Sequence, residues 1–283
     1  MPRRLLPILV ASIASTAAAD PKQILESQLT NLCGDAQFNG EKPPKFAAKG
    51  DDVFIAPKDF GDGRPGPNEL GCFDQKVLGA EAADKKSAWI AGDIGAQEIG
   101  CGAAPCPPPP PQIPEFHGTV LVERDGKAFR YVAWMFGTPI SDKDQAAAVK
   151  KGVTLEPIER GIGAGAEDAV KVFEGTLGDP KLLAASVSKR KDVVLYGSEL
   201  RERTVGGDKV AAKLAAWKLS FKVRDGIQAG VTASKTVAWI AANVDATSQK
   251  KPKDKPTPYR VLFLYEKTGT AWQLVHAQFA FAR

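Results

Sequence analysis

The apolar residues of the second half of the chain recur at helical spacing before they recur at strand spacing. Residues 166–177 and 206–217 each place apolar side chains on one face of a helix. Between them, Asp179 followed by Pro180 is typical of a helix start, because proline fits the first helical turn. Residues 142–152 also have helical character. This part of the chain is therefore predicted to open with helices.

Short runs rich in β-branched and aromatic residues lie between and after these helices and predict strands. The runs read DVVLYG, LSFKVR, IQAGVTA, KTVAWIAANV, YRVLFLYE and TAWQLVHAQFAF. The turn Lys267-Thr268-Gly269 joins the last two runs as a hairpin. Helices followed by a strongly curved antiparallel sheet make an α+β fold, which is the fold class that we predict.

The strand pattern occurs twice along the chain. Ala-Trp-Ile-Ala is found at residues 88–91 and again at 238–241. Two further pairs of segments match in the same order, with offsets that differ only by short insertions: 51–57 with 191–197, and 119–136 with 260–279. A period of this length indicates duplicated domains, since the repeats of a solenoid are only ~20 to 50 residues long.

Three late segments carry a resemblance to a known family. These are residues 206–217, residues 236–244 and the closing hairpin, whose last strand contains AWQLVHAQFAF. They resemble the SnoaL-like domains, relatives of ketosteroid isomerase and nuclear transport factor 2. The resemblance extends over roughly 165–283 and reaches 21–140 only through the internal repeat. It implies two cone-shaped modules, each with N-terminal helices packed on a curved antiparallel sheet that is open to a pocket at one end.

The predicted domain boundaries follow from these segments. We expect a signal peptide at 1–19, a degenerate first SnoaL-like domain at 20–140, a linker at 141–165 and a second SnoaL-like domain at 166–283. The sequence GIGAG, which ends the linker, follows no hydrophobic strand, so a dinucleotide-binding loop is not indicated. No cofactor is predicted.

The first nineteen residues have the three parts of a secretory signal. Arg3 and Arg4 precede an apolar run from Leu5 to Ile13, and small residues ending at Ala19 follow. The apolar run is much shorter than the ~20 residues of a membrane-spanning helix. We therefore expect a periplasmic or extracellular protein with no stable membrane anchor. Removing both arginines lowers the net charge from +5 to +3 (5 − 2), which does not favour nucleic acid as a partner.

All four cysteines lie in the first half of the chain, at Cys33, Cys72, Cys101 and Cys106. An even number in an oxidising compartment predicts two disulfides, with three alternative connectivities. Pairing Cys101 with Cys106 as a local clamp is the simplest of these, and it leaves Cys33 with Cys72. A zinc site is the rival interpretation, but the sequence lacks a second close cysteine pair, and His117 is the only histidine nearby.

Candidate ligand-binding residues lie on the late strands of the second domain. Strand alternation predicts that Trp272, Leu274, His276 and Gln278 share one face and that Val275, Ala277 and Phe279 share the other. A few polar groups among apolar ones are what a small-molecule pocket uses to orient its ligand. The predicted ligand-binding residues are Tyr196, Asn243, Trp272, His276 and Gln278. The alternative is that His276 is a hydrogen-bonded core residue and that Trp239 only packs.

The first copy lacks the polar candidates of the second. Ala133 corresponds to His276, and Ala56 corresponds to Tyr196. Where the second copy has the predicted helix 206–217, the first has FGDGRPGPNELGC, whose glycines and prolines forbid a regular helix. We therefore expect the pocket of the first domain to be reduced or lost.

These features favour a non-catalytic exported protein that binds a small apolar molecule or another protein through its second cone. An isomerase of the ketosteroid type needs a buried carboxylate, which the strand positions do not supply clearly. One alternative is nevertheless a ketosteroid isomerase-like or polyketide cyclase-like enzyme that uses His276 with Tyr196. The other is a structural scaffold in which the two copies form an internal pseudo-dimer with their sheets back to back.

Overall fold

The computed structural model describes residues 54–55, 70–98, 115–125, 128–137, 139–155, 157–199 and 202–281. The predicted signal peptide lies outside these ranges. So do Cys33, Cys101 and Cys106, while the backbone of Cys72 lies within a strand, so the disulfides stay predictions. Four helices occur in the described ranges: α1 (Asp142–Lys151), α2 (Glu167–Leu177), α3 (Pro180–Ala185) and α4 (Gly207–Ala216). None of these four has the length and hydrophobicity needed to span a membrane.

The first sheet contains five strands. They are β1 (Phe54–Ile55), β2 (Leu70–Glu81), β3 (Ser87–Glu98), β4 (Glu115–Asp125) and β5 (Ala128–Gly137). Their order across the sheet is β1-β5-β4-β3-β2. Strand β1 is parallel to β5, and the other neighbours are antiparallel.

The second sheet contains seven strands. They are β6 (Gly161–Ile162), β7 (Val194–Tyr196), β8 (Arg203–Val205), β9 (Leu219–Val231), β10 (Val237–Ser248), β11 (Thr257–Thr268) and β12 (Ala271–Phe281). Their order is β6-β9-β10-β11-β12-β7-β8. Because β6 pairs with β9, part of the predicted linker is a strand of this sheet.

The two sheets share a strand order and a register. The first sheet reads β1-β5-β4-β3-β2, and the middle of the second reads β7-β12-β11-β10-β9, each with a parallel pair at the same end. Trp89 on β3 lies opposite Ala80 on one side and Leu121 on the other. Trp239 on β10 lies in the same way between Gly230 and Leu264. The two Ala-Trp-Ile-Ala segments therefore occupy equivalent strands of their sheets.

The predicted helices form where the sequence places them, which with the antiparallel strands confirms an α+β fold. Helix α2 buries Ala169, Val170, Phe173 and Leu177, an apolar stripe at helical spacing. Helix α3 begins at Pro180, where the side chain of Asp179 accepts a hydrogen bond from the backbone of Lys181. Helix α1 begins after Ser141, whose side chain accepts a hydrogen bond from the backbone N–H of Asp144.

One strand prediction is wrong. The segments LSFKVR and IQAGVTA form the single strand β9, although two strands were predicted. The interruption in the apolar pattern reflects a bulge, because the partner of β9 advances from Ala242 to Val244 while β9 moves from Ile227 to Val223. Extra residues in a bulge shift the alternation without ending the strand.

The described chain is built in three layers, with the second sheet in the middle. One face of this sheet packs against α2, α3 and α4 through an apolar core; we call it the helix face, and on β12 it carries Trp272, Leu274, Ala277 and Phe279. The opposite face packs against the first sheet through a second core to which both tryptophan strands contribute; we call it the intersheet face. The predicted ligand-binding residues are distributed between these two faces.

Candidate functional site

A bulge in the last strand decides where the predicted site residues lie. Leu264 on β11 pairs with His276, but the next residue, Tyr265, pairs with Leu274, so Val275 is the extra residue. A bulge moves every later side chain to the opposite face. The predicted grouping of Trp272, Leu274, His276 and Gln278 on one face is therefore wrong. His276 and Gln278 lie on the intersheet face, and the other two lie on the helix face.

His276 and Gln278 both form hydrogen bonds with residues of the first sheet. His276 Nε2 lies 2.7 Å from Thr119 Oγ1, and the same hydroxyl donates to Gln278 Oε1. Gln278 Nε2 donates to the His117 carbonyl over 2.7 Å, and His117 Nδ1 donates to the Gly197 carbonyl over 3.2 Å. We call these four side chains with the Gly197 carbonyl the polar chain. It crosses between the sheets three times and joins both histidines of the protein.

The directions of these hydrogen bonds determine where the Thr119 hydroxyl hydrogen points and which ring nitrogen of His276 carries a hydrogen. The Thr119 hydroxyl has one hydrogen, which it gives to Gln278 Oε1, so it accepts from His276 Nε2–H. Because the ring is buried, it carries only this proton at neutral pH and has a lone pair on Nδ1. This Nδ1 atom is buried and has no hydrogen-bond partner. Burial lowers the pKa of His276 from 6.5 to about 3.

Tyr196 lies beside the polar chain. It is the last residue of β7, whose Val194 and Tyr196 project to the intersheet face and pack near Ala91 of the first sheet. Its ring centre lies 4.7 Å from that of His117 and 6.3 Å from that of His276. Three predicted ligand-binding residues, Tyr196, His276 and Gln278, are thus brought together, although between the two sheets and not on the helix face.

The other two predicted residues lie elsewhere. Trp272 is on the helix face, and the Lys267 ammonium lies 5.6 Å from its ring centre. Asn243 on β10 donates to Asp225 over 2.9 Å and accepts from Arg260 over 3.2 Å. The ligand-binding role of all five residues stays a prediction, and they do not line one cavity.

Sequence reasoning missed two members of the polar chain. From the sequence, His117 is a candidate only for a zinc site, and Thr119 is not among the predicted site residues. A signal existed for Thr119, which is polar where the equivalent strand of the second sheet has the apolar Leu262. Comparing the copies in that direction would have identified side chains particular to the first copy.

A reciprocal pair of glutamates holds the two sheets together near the hairpin turns. Glu266 on β11 accepts a hydrogen bond from the backbone N–H of Ala83, in the β2–β3 turn, over 2.6 Å. Glu123 on β4 accepts one from the backbone N–H of Ala233, in the β9–β10 turn, over 2.5 Å. Both glutamates are 4% exposed. Lys85 and Lys235 give the two turns the same left-handed residue, with φ of 56° and 58°.

Arg190 strengthens the contact at Glu266. Its guanidinium donates to Glu266 over 2.6 Å and to the Glu81 carbonyl of the first sheet over 2.7 Å. It also binds both carboxylate oxygens of Asp192 and lies 5.0 Å from the ring centre of Trp89. Hydrogen bonding to Asp192 raises the pKa of Arg190 further above its ordinary value, with Glu266 adding to the effect. A planar donor with five N–H groups suits this set of acceptors.

The helix face has a different chemistry. Phe263 on β11 contacts Phe173 of α2 edge to face, with ring centres 5.2 Å apart, and Phe279 at 5.4 Å. Towards one end, Trp217 and Tyr259 pack on Phe279. The buried carboxylates of the described residues are Glu123 and Glu266, both engaged between the sheets. In the same residues, no group of three or more His, Cys, Asp or Glu side chains could hold a metal ion.

Three solved structures illustrate what the chain is similar to. A proposed ketosteroid isomerase from Parabacteroides distasonis is 14% identical, with 41% of this chain and 86% of that one covered and a TM-score of 0.34. A nuclear transport factor 2-like superfamily protein from Salmonella enterica is 15% identical, with coverages of 42% and 87% and a TM-score of 0.32. A nuclear transport factor 2-like protein of unknown function from Pseudomonas putida is 11% identical, with coverages of 42% and 88% and a TM-score of 0.33.

All three structures are described as relatives of nuclear transport factor 2 or ketosteroid isomerase, the superfamily that the late segments of the sequence resemble. At this identity the likeness concerns the fold alone. No protein-family model matches the sequence, and no curated protein is significantly similar to it.

Proposed function

We propose that this chain is an exported, non-catalytic binding scaffold in which two modules of one fold form an internal pseudo-dimer. The observation that carries the proposal is the reciprocal contact of the glutamates: Glu266 of the second sheet holds the turn of the first, and Glu123 of the first holds the turn of the second. A two-fold interface between identical subunits has this self-complementary property. Export is proposed from the N-terminal pattern of charged, apolar and small residues.

The polar chain supports the same proposal. Its members are buried and are hydrogen-bonded mainly to groups of the opposite sheet. A buried polar network stabilises one relative arrangement of two packed elements, since any slip leaves donors and acceptors without partners. The residues that a catalytic pocket would need are thus engaged in holding the sheets in register.

Two measurements test the scaffold. Light scattering of the mature protein should give a monomer, because the two-fold contact is satisfied within one chain. Amide hydrogen exchange should then show that Glu266→Ala exposes the amide of Ala83, while Glu123→Ala exposes that of Ala233. Each substitution serves as the control for the other. An obligate oligomer, or exchange that rises only in the module carrying the substitution, would contradict the proposal.

A small apolar ligand of the second module is the second candidate function. The observation in its favour is the aromatic group at one end of the helix face, where Trp217 and Tyr259 are only partly buried against Phe279. Ligand pockets are lined mainly by aromatic and apolar side chains. The mature protein should be screened with steroids, polyketides and lipids for a rise in the thermal midpoint, with Trp217→Ala as the matched variant. No rise with any class would count against this function.

A further inference from the structure

The contact between the sheets includes His276, whose surroundings provide a hydrogen-bond acceptor for only one of its two ring nitrogens. His276 Nε2–H donates to Thr119, and Nδ1 faces no acceptor. We propose that this arrangement makes the contact between the two sheets acid-labile: a second proton on His276 places an unpaired charge between the sheets, so acidification releases the first sheet from the second. The inference rests on the proposed pseudo-dimer and adds a regulatory property to it.

The groups around His276 cannot compensate such a charge. Strand β11 presents Leu264 opposite it, and strand β7 presents Val194 and the ring of Tyr196. Strand β4 of the first sheet presents Thr119, and two residues earlier on the same strand it carries His117, whose carbonyl binds Gln278. The titratable groups that face His276 in the described chain are thus a phenol and a second imidazole, neither of which carries negative charge in acid.

Protonation would also reach the rest of the polar chain. An imidazolium needs an acceptor at Nδ1, and none of the described groups lies within hydrogen-bond distance of this atom, so the ring must move to reach one. Rotation removes Nε2–H from Thr119, whose hydroxyl also serves Gln278. Gln278 in turn holds the His117 carbonyl. One proton on His276 therefore weakens the hydrogen bonds of Thr119, Gln278 and the His117 carbonyl in turn. Loss of these bonds separates the two packed sheets.

The direction of the pH dependence follows from the two states of His276. In the closed state, burial lowers its pKa from 6.5 to about 3. In the open state the ring is hydrated and binds a proton at its ordinary value. Between these values the open state holds more protons, so the contribution of His276 to closure is full above pH 6.5 and is lost as the pH falls towards 3. Each pH unit below 6.5 lowers the closing equilibrium constant about tenfold.

Nuclear magnetic resonance of the mature protein with ¹⁵N-labelled histidine tests the inference directly. At neutral pH, His276 should show the Nε2–H tautomer, and this signal should persist well below pH 6.5 until release. Fluorescence of the buried Trp89 and Trp239 should then shift to longer wavelength together with the change at His276. A His276 ring that titrates near 6.5 in the closed protein, or that carries its proton on Nδ1, would overturn the inference.

A matched pair of variants separates His276 from general acid unfolding. His276→Gln keeps an N–H for Thr119 but cannot be protonated, so its release should move to lower pH by at least one unit. Thr268→Val removes an exposed hydroxyl outside the polar chain and should retain the original acid response. Equal release midpoints for His276→Gln and the unmodified protein would refute the inference. Light scattering at neutral pH tests the pseudo-dimer itself, so the two failures can be distinguished.

Discussion

The two faces of the second sheet use opposite means of packing. The helix face is a continuous apolar core in which Phe263 meets Phe173 and Phe279 edge to face. At the intersheet face, the two sheets together contribute small apolar residues, two tryptophans, the polar chain and two buried glutamates. The sequence predicts a ligand pocket on the first face, yet His276 and Gln278 form their hydrogen bonds on the second. The difference shows that the polar residues of the closing strand, His276 and Gln278, form hydrogen bonds between the two sheets.

The largest effect is expected on the helix face. Phe263→Ala should lower the free energy of unfolding by about 4 kcal/mol, because it leaves a cavity between the sheet and α2. Urea denaturation measures the change. Leu182→Ala is the control, since Leu182 is 51% exposed and its truncation should leave stability within about 0.5 kcal/mol. Equal effects of the two substitutions would contradict the assignment of the main core to this face.

Arg190→Ala should have the next largest effect. It leaves the carboxylate of Glu266, whose side chain is 6% exposed, without its cation, which should cost about 3 kcal/mol. The loss should be only partly recovered by Arg190→Lys, because a single ammonium cannot bind Glu266, Asp192 and the Glu81 carbonyl together. Lys171→Ala, which breaks the exposed pair with Asp168, should have no measurable effect.

A smaller effect is expected at the centre of the polar chain. Thr119→Val keeps the shape of the side chain but leaves His276 Nε2–H and Gln278 Oε1 without a partner, which should destabilise the protein by about 2 kcal/mol. Thr268→Val, the same substitution at an exposed hydroxyl, should leave the free energy of unfolding almost unchanged. If Thr119→Val were as mild as Thr268→Val in denaturation, the polar chain would not stabilise the intersheet contact.

Much of the fold could be predicted from the sequence because its signals are local. Helix α2 is specified by an apolar stripe and α3 by Asp179 with Pro180. The alternation on β12 failed at Val275, because a bulge adds one residue without a distinctive sequence. Thr119 could not be connected with its partners by spacing, since His276 lies 157 residues away along the chain. Contacts between the two sheets depend on three-dimensional packing that no local pattern records.

The most direct test of the account is a double-mutant cycle across the two sheets at Gly137 and Ala280. A Cβ atom on Gly137 would lie 2.5 Å from the Cβ of Ala280, so Gly137→Ala should destabilise the protein by about 2 kcal/mol. Adding Ala280→Gly removes the clashing methyl group and should recover at least about 1 kcal/mol, a favourable coupling typical of residues in contact. Free energies of unfolding that simply add would mean that the two sheets do not meet at this point, contrary to the packing described.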